Sequence, residues 1–153
     1  MLEFIAARGS ASFLQTPAWA RVKSEWRGER VGFYDGDELT GVGLILYRKL
    51  PKLPRYLAYL PEGPVLDWSR DDIAEHFDAL VTHVKKRQAF AVRIGPAVVH
   101  RIWGTKTIKT AIADDNITSL TEVEPDIVTP EGEHVVSVLK QGGWITDETG
   151  HGF

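Results

Sequence analysis

Several short stretches carry residue types that can do chemistry. Lys23 follows Trp19 by four residues in a segment of helical spacing, roughly 40° around from it. A cation there either grips a phosphate in a groove or is a solvated helix lysine. Arg48, Lys49, Lys52 and Arg55 put four cations into eight residues, and Pro51 and Pro54 limit the entropy of that loop. Such a loop suits an anionic membrane surface, a pyrophosphate or an RNA backbone; the plain alternative is a solvated loop. Glu62-Gly63-Pro64 stands at the end of an expected strand, where α/β proteins place ligand loops, and Gly63 lets a backbone come close to a ligand. It reads equally as a simple turn. Arg93 sits between Val92 and Ile94 in an apolar strand and needs an acidic or phosphate partner. An internal ion pair is the preferred reading and a ligand clamp the alternative. His76 and His83 are seven residues apart, whereas a metal pair on a helix wants three or four, so they read as solvated. His100, His134 and His151 show no partner pattern.

The elements that must hold these residues alternate between helix and strand. Leu2 to Ala7 reads as a short strand. Phe13 to Pro17 opens a helix, with Thr16 as its cap and Pro17 at its first position. Trp19, Val22 and Trp26 recur at helical spacing and form its expected buried face. Arg30 to Tyr34 and Leu39 to Tyr47 form a hairpin turned at Asp35-Gly-Asp37. The second of these strands is nearly all apolar and should be central. Tyr56 to Leu60 is a further strand. Ser69, with Asp72 three residues on, should cap a helix through Ile73, Phe77, Leu80, Val81 and Val84, closed by Lys85, Lys86 and Arg87. Ala89 to Ile94 reads as a buried strand. A short helix is expected before Ala113, and another over Glu131 to Gln141, stopped by Gly142-Gly143. Trp144-Ile145 is a candidate strand start, and Thr146 to Phe153 shows no core signal.

The strands around Tyr56 and Val92 are joined through one helix, a βαβ-like crossover. Together with the hairpin this gives an α/β fold with a mixed sheet flanked by helices. With 153 residues, 43% of them apolar, the chain fits a single domain with a buried core. The formal charge of −3 excludes broad coating of nucleic acid but leaves room for a local basic groove. The absence of cysteine excludes disulfides, thiolate nucleophiles and Cys-ligated zinc, and suits the cytoplasm. The apolar run at Met1 to Ala7 is too short for a signal h-region or a span. No P-loop, GxSxG, HExxH or GxGxxG is present, so no metal or cofactor is expected.

Three stretches in order narrow the reading: Phe13-Leu-Gln-Thr-Pro-Ala-Trp-Ala-Arg-Val-Lys23, Tyr59-Leu-Pro-Glu-Gly-Pro-Val-Leu-Asp67 and Val92-Arg-Ile-Gly-Pro96. Together they resemble the Fem family (FemA/FemB/FemX) of peptidoglycan interpeptide-bridge aminoacyltransferases, from about Phe13 to Trp144. The resemblance implies a GNAT-like (N-acetyltransferase-like) fold, used twice in full members. It implies transfer of an amino acid from aminoacyl-tRNA, as co-substrate, to the stem peptide of lipid II or of UDP-MurNAc-pentapeptide. It makes Lys23 a holder of the precursor's phosphates and places Trp19, Gly63, Pro64, Phe90 and Arg93 at the substrate. Two positions depart from it. Some members carry aspartate where Gly95 stands here, and tyrosine at the position of Phe90. A catalytic base is therefore unassigned.

Full members are more than twice as long, so the chain reads as a single, incomplete N-terminal domain, 1–153, without the second GNAT-like domain that would meet the tRNA. Alone it is expected to be inactive, and its open sheet edge makes self-association an expectation. The location implied is the cytoplasm, peripheral at the inner face of the membrane through Arg48, Lys49, Lys52 and Arg55. A non-catalytic interaction module and a small acyl-CoA-dependent acetyltransferase stand as alternatives. The latter would need a pyrophosphate loop opening a helix, and the sequence has none.

Overall fold

The computed structural model describes residues 1–8 and 11–146. They form two compact units, one ending at Ala97 and the other beginning at Val98.

The first unit holds a mixed sheet. Its helices are α1 (Leu2–Ala6), α2 (Pro17–Val22) and α3 (Ile73–Lys86), and its strands are β1 (Arg27–Asp35), β2 (Glu38–Lys49), β3 (Tyr56–Leu60), β4 (Val65–Leu66) and β5 (Ala89–Ile94). The sheet order is β1-β2-β3-β5, and β4 also pairs with β2. β2 runs antiparallel to β1, β3 and β4, whereas β3 and β5 are parallel. The sheet is therefore mixed and helix-flanked, with the crossover made by α3. β2 is central as its sequence indicates: Val42, Leu44, Ile45, Leu46 and Tyr47 are all at most 2% exposed, covered on both faces. The hairpin turns through Gly36, whose φ of +57° suits glycine. Thr40 is the extra residue of a bulge, since Phe33 pairs with Gly41 and Tyr34 with Leu39.

Several local expectations give way. Leu2–Ala6 is helical, not extended. α2 has only six residues and ends at Val22, so Trp19, Val22 and Trp26 share no helical face; Val22 is 65% exposed. The Thr16 hydroxyl donates back to the Phe13 carbonyl and does not cap α2. Ser69 does not cap α3, because its hydroxyl and N–H both donate to Asp67; the Asp72 carboxylate instead takes two bonds from Arg70. α3 accordingly starts at Ile73 and buries Ile73, Phe77, Leu80 and Val84, while Val81 is half-exposed. His76 is not solvated. It is buried, with Nδ1 against the Asp72 carbonyl and Nε2 2.9 Å from Thr40 Oγ1. β5 is an edge strand and only partly covered, with Phe90 55% exposed.

The second unit has β6 (Arg101–Ile102) paired with β7 (Ile127–Val128), and helices α4 (Thr105–Ile112) and α5 (Pro130–Gln141). Asp126 accepts from the Gly104 N–H and the Thr107 hydroxyl and so holds the start of α4. Thr129 caps α5 by accepting from the Gly132 N–H. His100 does find a partner, Glu133, at 2.9 Å. Trp144-Ile145 forms no strand, and residues 147–153 lie outside those described.

Candidate functional site

The three sequence stretches meet in space, and a side chain not singled out as a site residue joins them. Gln15, in the 3₁₀ turn Phe13–Gln15, is fully buried. Its Nε2 donates to the Pro61 carbonyl (2.6 Å) and its Oε1 accepts the Leu44 N–H (2.9 Å). The sheet register explains why. β2 and β3 pair Leu46 with Tyr59, so the next rung on that side would join Leu44 to Pro61. β4 resumes pairing with β2 at Val42–Val65, two residues out of that register. The Gln15 amide fills the missing rung. Both ends of a buried amide are thereby used, as a low-dielectric interior requires.

This placement sets the loop Pro61–Pro64. A Cβ added at Gly63 would lie 2.5 Å from both Nε2 and Oε1 of Gln15. Glycine at 63 is therefore required by an internal contact. Pro61, Gly63 and Pro64 are buried, and Glu62 is the loop's exposed residue. On the far side the Gly63 carbonyl accepts from the Gly95 N–H at 3.2 Å. So the loop is held by the first stretch through Gln15 and by the third through Gly95. An added Cβ at Gly95 would come within 3.3 Å of the Glu62 N, a tight approach.

The remaining candidates lie on aromatic rings. Lys23 closes α2, with Nζ 5.5 Å from the Trp19 ring centroid. Its carbonyl accepts the Trp26 N–H, which brings Trp26 one turn on. Trp26 lies 6.3 Å from Tyr59, and Arg48 stands over the Trp26 ring at 5.6 Å. Arg93, the register partner of Tyr59, has its guanidinium 6.0 Å from the Tyr59 ring. Lys23, Arg48 and Arg93 are thus each set against an aromatic face, whose ring quadrupole attracts a cation. The arrangement suits a polyanionic ligand. Phe90 stands apart on the β5 edge. Among the described residues no group of His, Asp and Glu is placed to hold a metal ion.

A second polar centre lies under α3. Glu29 accepts from the Tyr47 hydroxyl (2.8 Å) and Arg87 (2.7 Å), and His83 Nε2 is 3.2 Å away. Burial alone would raise the Glu29 carboxyl, but the bonds from Arg87 and Tyr47, with His83 close by, outweigh it and bring it down to about 2. The Tyr47 hydroxyl is raised, first by burial and then by the Glu29 carboxylate.

A mixed, helix-flanked sheet carrying these three stretches defines a member of the FemAB family. That family's model matches residues 2–123, so the chain belongs to it. The lipid II:glycine glycyltransferase of Staphylococcus saprophyticus is 34% identical over 98 residues, covering 62% of this chain and 24% of that protein. The enzyme of the same name from Staphylococcus haemolyticus is 35% identical over 98 residues, covering 62% and 23%. The crystal structure of FemX superposes with a TM-score of 0.53 at 30% identity, over 72% of this chain and 28% of that one. The chain spans about a quarter of the length of the curated relatives it matches.

Proposed function

We propose that this chain is the precursor-holding part of a tRNA-dependent aminoacyltransferase of peptidoglycan bridge synthesis, built on a GNAT-like fold. The observation that carries the reading is the convergence of the three family stretches on the loop Pro61–Pro64 through Gln15 and Gly95. The names of its relatives supply the acceptor, lipid II, and its nucleotide precursor UDP-MurNAc-pentapeptide offers the same stem peptide and a diphosphate. Lys23 is the phosphate ligand, with Trp19 as its platform, and Arg93 is a second cation toward the same anion. Gly63 and Pro64 act from beneath, by fixing the loop that faces the substrate. Phe90, exposed on β5, is a further substrate contact in this reading.

The reaction is aminolysis of an ester. The neutral stem-peptide amine attacks the aminoacyl carbonyl, the ester C–O bond breaks, and the tRNA hydroxyl leaves with a proton. No residue of this chain is assigned as base or oxyanion donor, and the amine's proton passes to substrate or water. Aminoacyl-tRNA is the co-substrate. The acceptor's membrane setting makes Arg48, Lys49, Lys52 and Arg55 the first contact with lipid. No helix among the described residues is long and apolar enough to cross a membrane. The second edge of β5, unpaired among the described residues, is where copies would associate, and light scattering showing a monomer at high concentration would remove that element.

Calorimetric titration with UDP-MurNAc-pentapeptide tests the core of the reading. Saturable binding weakened about tenfold by Lys23→Ala, some 1.4 kcal/mol, is expected. A folded chain that gives no heat with the precursor would overturn it.

A further inference from the structure

Two segments far apart in sequence bring their cations to one end of the sheet. The first is the β2–β3 connection with Arg48, Lys49, Lys52 and Arg55, all exposed. The second is the end of α3 with Lys85 and Lys86, also exposed. The join is made by the backbone: Tyr56 opens β3 beside Ala89, and its N–H donates to the Gln88 carbonyl at 3.2 Å. None of these six cations has a carboxylate partner among the described residues. Nearby Glu29 is engaged by Arg87 and His83. The acids gather at the other end, in the β1–β2 turn with Asp35, Asp37 and Glu38 and before α3 with Asp71 and Asp72. A chain of net charge −3 thus carries a separate basic pole.

Leu53 gives this pole a second property. It is 55% exposed at the tip of the connection, between exposed Pro51 and Pro54 and flanked by Lys52 and Arg55. An apolar side chain ringed by cations matches the interface of an anionic bilayer, where the cations meet headgroups and the leucine enters the acyl boundary. Single-stranded nucleic acid would want outward-facing rings for its bases. The rings at this end are covered by arginines instead: Arg27 lies 4.6 and 5.4 Å from the centroids of Tyr47 and Tyr56, and Arg48 5.6 Å from that of Trp26.

We infer that this composite basic pole, loop 48–55 together with the end of α3 and with Leu53 as its apolar anchor, docks the chain on an anionic lipid surface. This deepens the lipid contact proposed above and rests on that reading for its setting. It also fixes an orientation. β3, five residues long, sets the loop Pro61–Pro64 about 17 Å from the docked end.

Sedimentation of the full chain with vesicles of phosphatidylglycerol and phosphatidylcholine, against pure phosphatidylcholine, tests this without any precursor present, and so separately from the calorimetry. Binding only to the anionic vesicles is expected, falling steeply with salt. The double variant K85Q/K86Q should weaken it at least tenfold, although both positions lie outside the loop. Leu53→Ser should weaken it a few-fold and leave the salt slope unchanged. All three positions are exposed, and matching thermal melts would confirm that the variants fold. Equal binding to neutral vesicles, or no effect of K85Q/K86Q, overturns the docking surface. Displacement from vesicles by single-stranded RNA at equal charge would reassign the pole to nucleic acid and equally overturn it.

Discussion

Gln15 and Glu29 are both polar side chains set against β2, and they stabilise it by opposite means. Gln15 is neutral, wholly buried and fixed by shape: one amide completes one missing rung, and a glycine makes the room. Glu29 is charged and partly exposed, and three partners share it. The first centre should be rigid and indifferent to pH. The second should tolerate changes of shape and respond to acid. The loop nearest the proposed substrate is built on the rigid kind.

The hardest break of this contrast is Gln15→Ala. It leaves the Leu44 N–H and the Pro61 carbonyl without partners inside the sheet, so a loss of about 3 kcal/mol is expected in denaturant unfolding. A loss below about 1 kcal/mol would mean that water replaces the amide and that the centre is not rigid. Gly63→Ala should cost about 2 kcal/mol, because the methyl has to displace the amide. Glu29→Gln should cost only about 1 kcal/mol, since Arg87 and His83 reach solvent and the amide oxygen can still accept from the buried Tyr47 hydroxyl.

The smallest effect is a matter of pH. The Glu29 carboxyl is depressed from 4.5 to about 2, so its contribution is complete above pH 4.5 and is lost as pH falls toward 2. Thermal melts of the wild type and Glu29→Gln should converge across that window. Parallel curves would show that Glu29 is not what titrates.

Much of the scaffold was legible because it follows period and turn chemistry. Tyr56 to Leu60 and Ala89 to Ile94 lie where their apolar runs end, and the hairpin turns where Asp-Gly stands. The failures have local causes. Trp26 keeps helical spacing with Trp19, but α2 has already closed at Lys23, and spacing alone does not show an ending. Ser69 is a good cap by type, yet Asp67 is closer and takes its hydroxyl. His76 lies on the α3 flank facing the bulged Thr40, and a bulge leaves no mark in a two-residue period. Gln15 was visible only as part of a motif. Glutamine is ordinarily a surface residue, and the one available hint was that Pro61, which lacks an N–H, opens a turn directly after a strand.

The closeness of Gly63 to the Gln15 amide has a consequence for descent. The two positions are 48 residues apart in the chain but share one volume. A side chain at 63 demands a shorter one at 15, and a shorter one at 15 breaks the sheet unless something else bridges Leu44 and Pro61. Neither can drift alone, so lineages of this fold should inherit the pair as a single character, kept or exchanged together.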